Sequence, residues 1–271
     1  SRTVFAALVG AALAVAGAVF QVALRNDLAT PYTLGVSGAA SLGALVVIKL
    51  GLTGFATALG GLLGGSLAVT FIITLAHFLR AREGTITLLL AGVTLNLLFG
   101  SVVLVLQYLS NPYETTHMVR WLMGGVDVTG LTISAWLAPF LLAGLVVLWG
   151  NGQPLNLLAL DDQTARSLGE NPDRRRMLVI GTAAFLTAIA VSFAGPIGFI
   201  GLITPHAVRR ILGMDNRFVL PGSALAGAGF LALADAVGRL AGGASEIPVG
   251  IVTTLIGGPV FLIILFRRQI R

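Results

Sequence analysis

Charge is scarce in this chain and cysteine is absent. Of 271 residues only 10% are Asp, Glu, Lys or Arg, while 56% are hydrophobic. A soluble domain carries about a quarter charged residues, so the polar surface here cannot cover a water-facing globule. Without cysteine, disulfides, thiol catalysis and cysteine-ligated metal sites are excluded. There is no Walker-type Gly-Lys-Ser/Thr motif, no HExxH and no GxSxG. The chain therefore lacks the usual holders of nucleotide phosphates, a peptidase zinc and an activated serine. What it has is apolar length, with mean hydropathy +0.95. It also has 35 glycines, nearly twice the ordinary share of about 7%, without the period-three repeat of collagen. The class is a polytopic helical membrane protein.

Charges cut the chain into neutral stretches at 3–24, 28–48, 50–79, 84–113, 128–160, 177–208, 218–234 and 247–266. Seven reach the roughly 18 residues a membrane helix needs, and 218–234 falls one short. None alternates apolar and polar residues as barrel strands do. The run 177–208 is too long for one span, and Gly195-Pro196-Ile197-Gly198 breaks it, because proline and glycine together stop a helix. A hairpin is expected there, with a short second arm buried inside the protein. The expected spans are 3–24, 34–50, 53–76, 85–109, 131–149, 177–194, 198–212, 218–241 and 248–266, forming a single transmembrane domain over 1–271.

The cations test this division. Thirteen of the 17 Lys and Arg residues fall in five clusters: Arg25; Arg80 and Arg82; Arg166 with Arg174 to Arg176; Arg209, Arg210 and Arg217; and Arg267, Arg268 and Arg271. Two expected spans separate each consecutive pair of clusters. All five can therefore share one side, which the positive-inside rule makes the cytoplasm. Ser1 is then outside and the C-terminus cytoplasmic. The chain opens almost directly into a span without an initiator Met, so one more helix is expected ahead of it. The net charge of +6 reads as topology, with no aromatic-basic interleaving of the kind that binds nucleic acid.

Loops divide by side. Outside, Thr115 to Met123 reads as a short interfacial helix anchored by Arg120-Trp121. Inside, Leu160-Asp161-Asp162-Gln163-Thr164-Ala165-Arg166-Ser167-Leu168-Gly169 reads as a two-turn helix. Asp161 or Asp162 caps it, and Gly169 stops it. From its residues alone it is either a docking element or a solvated connector. Gly60-Gly61-Leu62-Leu63-Gly64-Gly65 holds two overlapping GxxxG patterns, which let helix backbones approach closely in lipid. His77, His117 and His206 show no ligand spacing, and no metal site is expected.

Several blocks, collinear over nearly the whole chain, resemble signatures of the FecCD-type permeases. These are the membrane subunits of type II ABC importers for iron-siderophores, haem and cobalamin. The blocks are Gln21-Val22-Ala23-Leu24-Arg25-Asn26-Asp27-Leu28-Ala29-Thr30-Pro31-Tyr32-Thr33-Leu34-Gly35-Val36-Ser37-Gly38, Leu88-Leu89-Leu90-Ala91-Gly92-Val93 and Arg120-Trp121-Leu122-Met123-Gly124-Gly125. The others are Gly195-Pro196-Ile197-Gly198-Phe199-Ile200-Gly201-Leu202-Ile203-Thr204-Pro205-His206, Leu220-Pro221-Gly222-Ser223-Ala224-Leu225-Ala226-Gly227-Ala228 and Glu246-Ile247-Pro248-Val249-Gly250-Ile251-Val252-Thr253. The family usually has Asn-Pro-Leu-Ala where this chain has Asn26-Asp27-Leu28-Ala29.

The resemblance implies an all-α, ten-helix type II permease fold, of which about nine spans are present. It implies a homodimer or a pair of homologous halves, sitting on two separate ATP-binding cassette ATPase subunits. ATP and Mg would bind there, leaving this chain without cofactor or catalytic residue. It also implies an extracytoplasmic binding protein that delivers cargo, and membrane lipid around the spans of a bacterial or archaeal cytoplasmic (inner) membrane. The helix at 162–169, with Thr164, Ala165, Arg166, Ser167, Leu168 and Gly169, becomes the coupling helix that meets the ATPase. Arg2 and Arg239 match positions that dock the binding protein, since a guanidinium fork pairs well with carboxylates. Asp235, four residues before Arg239, is an intrahelical partner for it. The helix at 85–109 would line the pathway, with Thr85 and Ile86 at a cytoplasmic gate. Asn96 lies at membrane depth, as a pathway contact or an interhelical hydrogen bond. The Thr30-Pro31-Tyr32-Thr33-Leu34-Gly35 variant looks more like siderophore permeases than haem or cobalamin ones. An ion-coupled secondary transporter is the reading of another class, but it would place carboxylates at mid-membrane.

Overall fold

The computed structural model describes residues 2–78, 84–126, 132–242 and 246–269. Among these the chain forms helices and no strand: α1 (Arg2–Ala23), α2 (Val36–Lys49), α3 (Phe55–Phe78), α4 (Gly84–Tyr108), α5 (Pro112–Leu122) and α6 (Thr132–Gly150). They continue as α7 (Gly152–Ala159), α8 (Asp162–Ser167), α9 (Pro172–Ala194), α10 (Ile200–Leu212), α11 (Asn216–Gly242) and α12 (Val249–Gln269). The fold is all-α, and each stretch expected to span holds a helix. The helices α1, α6, α9 and α11, with 55–75 of α3 and 87–108 of α4, are long and apolar enough to cross a membrane. Shorter apolar helices stand at α2 and at Val249–Ile264. The short hairpin arm α10 follows Gly195, whose φ of 67° ends α9. It buries Ile200, Gly201, Ile203, Thr204, Pro205 and Val208.

The helix α1 is the centre of the bundle, packed by α11, α9, α10 and α6. Of its apolar window 78% is buried, against 11% for that of α4, which leans mainly on α2. Close approach comes from missing side chains. A Cβ on Gly17 would stand 1.9 Å from the Gly201 carbonyl oxygen, so α1 and α10 touch backbone to backbone. The doubled GxxxG of α3 serves two partners. Gly60 and Gly64 face α2 at Gly43 and Ala39, while Gly61 and Gly65 face α9 at Ser192 and Ala188. Such contacts are how helices associate where lipid offers no hydrophobic drive.

Three of the quoted blocks meet at one spot. Gly125 N–H donates to the Ala194 carbonyl at 2.8 Å, and Gly250 N–H to the Gly124 carbonyl at 3.3 Å. Gly124 takes φ 68° against the Pro196 carbonyl, a backbone shape that favours glycine.

The interfacial helix expected from 115 is α5. It starts three residues earlier because Asn111 caps it and Glu114 completes a capping box, with Pro112 at the first turn. Helix α7 was not expected. Asn151 interrupts the helical run after α6, and the chain turns into eight more helical residues that bury Leu155 and Leu158.

Candidate coupling and docking sites

The ion pairs among the described residues sort into two sets that share no member. One set contains Arg2, Asp235, Arg239 and Glu246, and separately Lys49 with Glu114. The other contains Arg25, Asp162 and Arg176, then Arg175 with Glu170, Arg166 with Asp173, and Arg217 with Asp215. Every pair joins residues that the cation parity puts on one face. Arg80, Arg82 and Arg271 lie outside the described residues.

In the first set, Asp235 is the hub. Its side chain is 1% exposed and accepts from Arg2 Nε at 2.9 Å. Arg2 Nη1 also reaches Glu246 Oε2 at 2.6 Å. Arg239 Nε stands 3.3 Å from the other Asp235 oxygen, close enough for attraction but not aligned for a hydrogen bond. The intrahelical pairing expected from the sequence is thus present, and a second arginine from the far end of the chain shares it. Separately, Lys49 Nζ donates to Glu114 at 2.8 Å and to the Leu109 carbonyl at 2.7 Å, tying α2 to α5. The Lys49 hydrogen bond holds the Glu114 carboxyl below its usual range.

In the second set, α8 is built by two adjacent aspartates with different work. Asp161 is the cap, accepting from Thr164 N–H at 2.8 Å and from its hydroxyl at 2.6 Å. Those bonds hold its carboxyl below the usual range. Asp162, one residue on, accepts from Arg25 Nη2 at 2.6 Å and from Arg176 Nη2 at 2.9 Å. Burial pushes its carboxyl up, but the two guanidiniums outweigh burial and hold it low. Ala165 is fully buried, so it seats the helix, while Arg166, Ser167, Leu168 and Gly169 are exposed and Thr164 is half-buried. Gly169 takes φ 85° and ends the element. Next to it Asn156 of α7 bonds both Asp215 and Asn216, which anchors the start of α11. Arg217 above all, with Asn156, depresses the Asp215 carboxyl.

The remaining positions resolve differently. Thr85 and Ile86 fall in the first turn of α4, and their side chains lie outside the described residues. Asn96 is half-buried and turned toward α2, its Oδ1 only 2.4 Å from where a Cβ on Gly38 would stand. That places it between helices, not on the open face of α4. Gln21 is buried, donating to the Gly201 and Leu202 carbonyls at 3.3 and 3.4 Å and accepting from Arg209. His117 packs edge-on against Tyr113, and no group of potential metal ligands occurs among the described residues. Arg25, Arg176 and Glu246 were not singled out from the sequence. The Asp161-Asp162 doublet signalled the two arginines, since a short helix needs one cap and the second carboxylate requires another partner, whereas nothing local signalled Glu246.

The profile of the FecCD transport family matches residues 1–267. The chain belongs to that family. Among FecCD relatives, the Bacillus subtilis (strain 168) ABC transporter permease protein YvrB is 40% identical over 273 residues, covering 99% of this chain and 77% of its own. The vitamin B12 import system permease protein BtuC of Salmonella typhimurium is 40% identical over 269 residues, covering 98% and 81%. A solved inward-facing structure of a metal-chelate type ABC transporter superposes with TM-score 0.92 at 31% identity, over 98% of this chain and 85% of that one. The protein is thus a multi-pass permease subunit of a FecCD-type ABC importer, with the type II permease fold.

Proposed function

We propose that this permease imports a bulky metal chelate, an iron-siderophore, across the cytoplasmic membrane by ATP-driven alternating access. It works as a pair of permeases on two ATPase subunits that bind ATP and Mg, fed by an extracytoplasmic binding protein. Thr164, Ala165, Arg166, Ser167, Leu168 and Gly169 form the coupling helix, which puts the C-terminus in the cytoplasm. Arg2 and Arg239 dock the binding protein, and Thr85 and Ile86 gate the cytoplasmic end of a pathway along α4. The observation that carries the reading is α8. A six-residue helix, capped by Asp161 and stopped at Gly169, projects Leu168 at 60% exposure from an otherwise tied-down face. An exposed arginine, Arg166, beside that leucine on a rigid, polar knob suits a groove in a partner subunit.

The siderophore assignment rests on the Thr30-Pro31-Tyr32-Thr33-Leu34-Gly35 block. A second reading, cobalamin import, is supported by 40% identity with the Salmonella vitamin B12 permeases. The test reconstitutes permease, ATPase and binding protein in nanodiscs and measures ATP turnover with ferric hydroxamate, ferric catecholate, haem or cobalamin. Stimulation by a ferric siderophore supports the first reading, and stimulation by cobalamin alone replaces it with the second. Turnover unmoved by every chelate overturns the importer mechanism.

A further inference from the structure

We infer that α1 is a transmission rod, joining the coupling helix to the docking arginines through one carboxylate at each end. Asp162 holds its cytoplasmic end and Asp235 its outer end. The inference rests on α8 being the coupling helix.

At the lower end, each of two arginines grips Asp162 and a backbone carbonyl at once. Arg25, two residues past the end of α1, donates from Nη2 to Asp162 and from Nε to the Leu158 carbonyl at 2.9 Å. Arg176, in the second turn of α9, donates to Asp162 from Nη2, and from Nε to the Ala23 carbonyl at 3.0 Å. Ala23 is the last residue of α1, so α8 is bound to that helix end from two directions. Arg25 reaches its place with φ 45°, a left-handed backbone that a non-glycine residue adopts at a cost. Such strain persists only where the surroundings over-determine it. The Arg176 side chain is 16% exposed, and those of Arg25 and Asp162 are each 37% exposed. Water therefore screens this triad less than the Arg166–Asp173 pair, whose side chains are both more than 60% exposed.

At the upper end, Arg2 is the first residue of α1, and its fork is occupied by Asp235 of α11 and by Glu246. Between the ends lie 22 helical residues, about 33 Å at 1.5 Å per residue. The rod is stiff in its surroundings. Backbone meets backbone at Gly10 with Gly227 and at Gly17 with Gly201, and α1 buries nearly all of its middle. Close-packed interiors of this kind have low compressibility, so a displacement of α8 is carried along α1 instead of being absorbed beside it. Its outlet is the outer end of α11, where Asp235 also holds Arg239. The same carboxylate thus sets both docking cations from one rod end.

The absence of cysteine makes the test direct, since an introduced thiol is unique in this chain and its labelling is read on the permease band. In nanodiscs holding permease and ATPase, a membrane-impermeant maleimide is reacted with Leu240→Cys at the outer end of α11. The same is done with Leu168→Cys on α8, each with and without ATP–vanadate. ATP–vanadate is expected to change the rate at Leu240→Cys by about fivefold, the scale of ordinary intersite coupling. Adding Asp162→Asn is expected to reduce that change to less than about twofold, while the permease and ATPase still co-elute on size exclusion, and Asp162→Glu to restore it. An unchanged nucleotide response at Leu240→Cys in the Asp162→Asn background, with the complex intact by size exclusion, overturns the rod. Failure of the coupling-helix reading looks different, and permease nanodiscs prepared without the ATPase reveal it. Leu168→Cys then reacts equally fast with and without the ATPase.

Discussion

Arg2 and Arg239, separated by almost the whole chain, converge on one buried carboxylate. Arg2 Nη2 stands 2.7 Å from Asp235 Oδ1, and Arg239 Nε stands 3.3 Å from Oδ2. The two are not equivalent. Arg2 is also committed to Glu246, whereas Arg239 is 43% exposed and off-line from its acid.

Arg239 is therefore the cation more available to an acidic partner, and Arg2 the one that holds structure. Arg239→Glu is expected to slow association of the binding protein about tenfold at low ionic strength, with the loss shrinking as salt rises. Surface plasmon resonance at two salt concentrations checks it. Arg2→Ala instead leaves Asp235 with one misaligned partner. Removing one member of a buried pair costs several kcal/mol, and partial exposure with Arg239 still present reduces this to about 1–2 kcal/mol. Thermal unfolding in detergent should show that loss in Arg2→Ala and little in Arg239→Glu.

The Asp162 triad predicts an acid-sensitive seat for α8. Its folded carboxyl lies below the ordinary value because Arg176 and Arg25 outweigh burial. A depressed carboxyl contributes stability that is fully present above the unfolded pKa of about 3.9 and is lost as pH falls through the folded value. The cap carboxyl of Asp161 is depressed as well and acts in the same direction. Hydrogen exchange of α8 amides should be flat from neutral pH to about pH 5 and rise below about pH 4, after correction for intrinsic exchange. Asp162→Asn should show raised exchange already at pH 7. If the variant and the parent match at pH 7, the triad does not hold the helix.

Most of the helices were legible because lipid forbids charge, so charge marks the ends of spans whatever the tertiary packing does. The break at Gly195-Pro196 was legible for a local reason, the loss of an amide donor and the turn at Gly195. Helix α7 was not, because it lies within the uncharged run 128–160 and opens within Gly150-Asn151-Gly152-Gln153-Pro154, a stretch that reads as a loop. The charged sites were half legible. Spacing showed Asp235 beside Arg239, one helical turn apart. It could not bring Arg2 or Glu246 to the same carboxylate, because that contact is made by the packing of α1 on α11. Likewise nothing local distinguishes Asp161 from Asp162. The first is spent on the Thr164 amide, and the second faces arginines whose positions depend on where α1 and α9 end.

The double GxxxG makes a packing prediction with a control built in. A Cβ on Gly64 would stand 2.2 Å from the Ala39 carbonyl oxygen, while Gly100, on the exposed helix α4, has nothing within 4 Å. Gly64→Val must push α2 from α3. Overpacking of this kind costs about 1–3 kcal/mol or more where backbone is the obstacle. Gly100→Ala should be neutral or slightly stabilising, because alanine is the better helix former by about 1 kcal/mol. Detergent melting temperatures of the two variants should move in opposite directions or only the first should fall.

Helix α8, the proposed coupling helix, yields the sharpest contrast between neighbouring positions. Ala165 is fully buried against the permease, and Ser167 two residues on is exposed. Ala165→Glu would place an unpaired carboxylate where burying a charge without a partner is heavily penalised. A helix of six residues with one cap cannot absorb that penalty, so α8 should leave its seat. Binding-protein-stimulated ATP turnover is expected to fall about tenfold or more in Ala165→Glu, since a loss of 1.4 kcal/mol in docking already gives that factor. Ser167→Ala removes only a hydroxyl that bonds back to the Thr164 carbonyl, and its turnover should stay within about twofold, as surface substitutions usually do. Equal turnover in the two variants would mean that the ATPase does not read the position of α8.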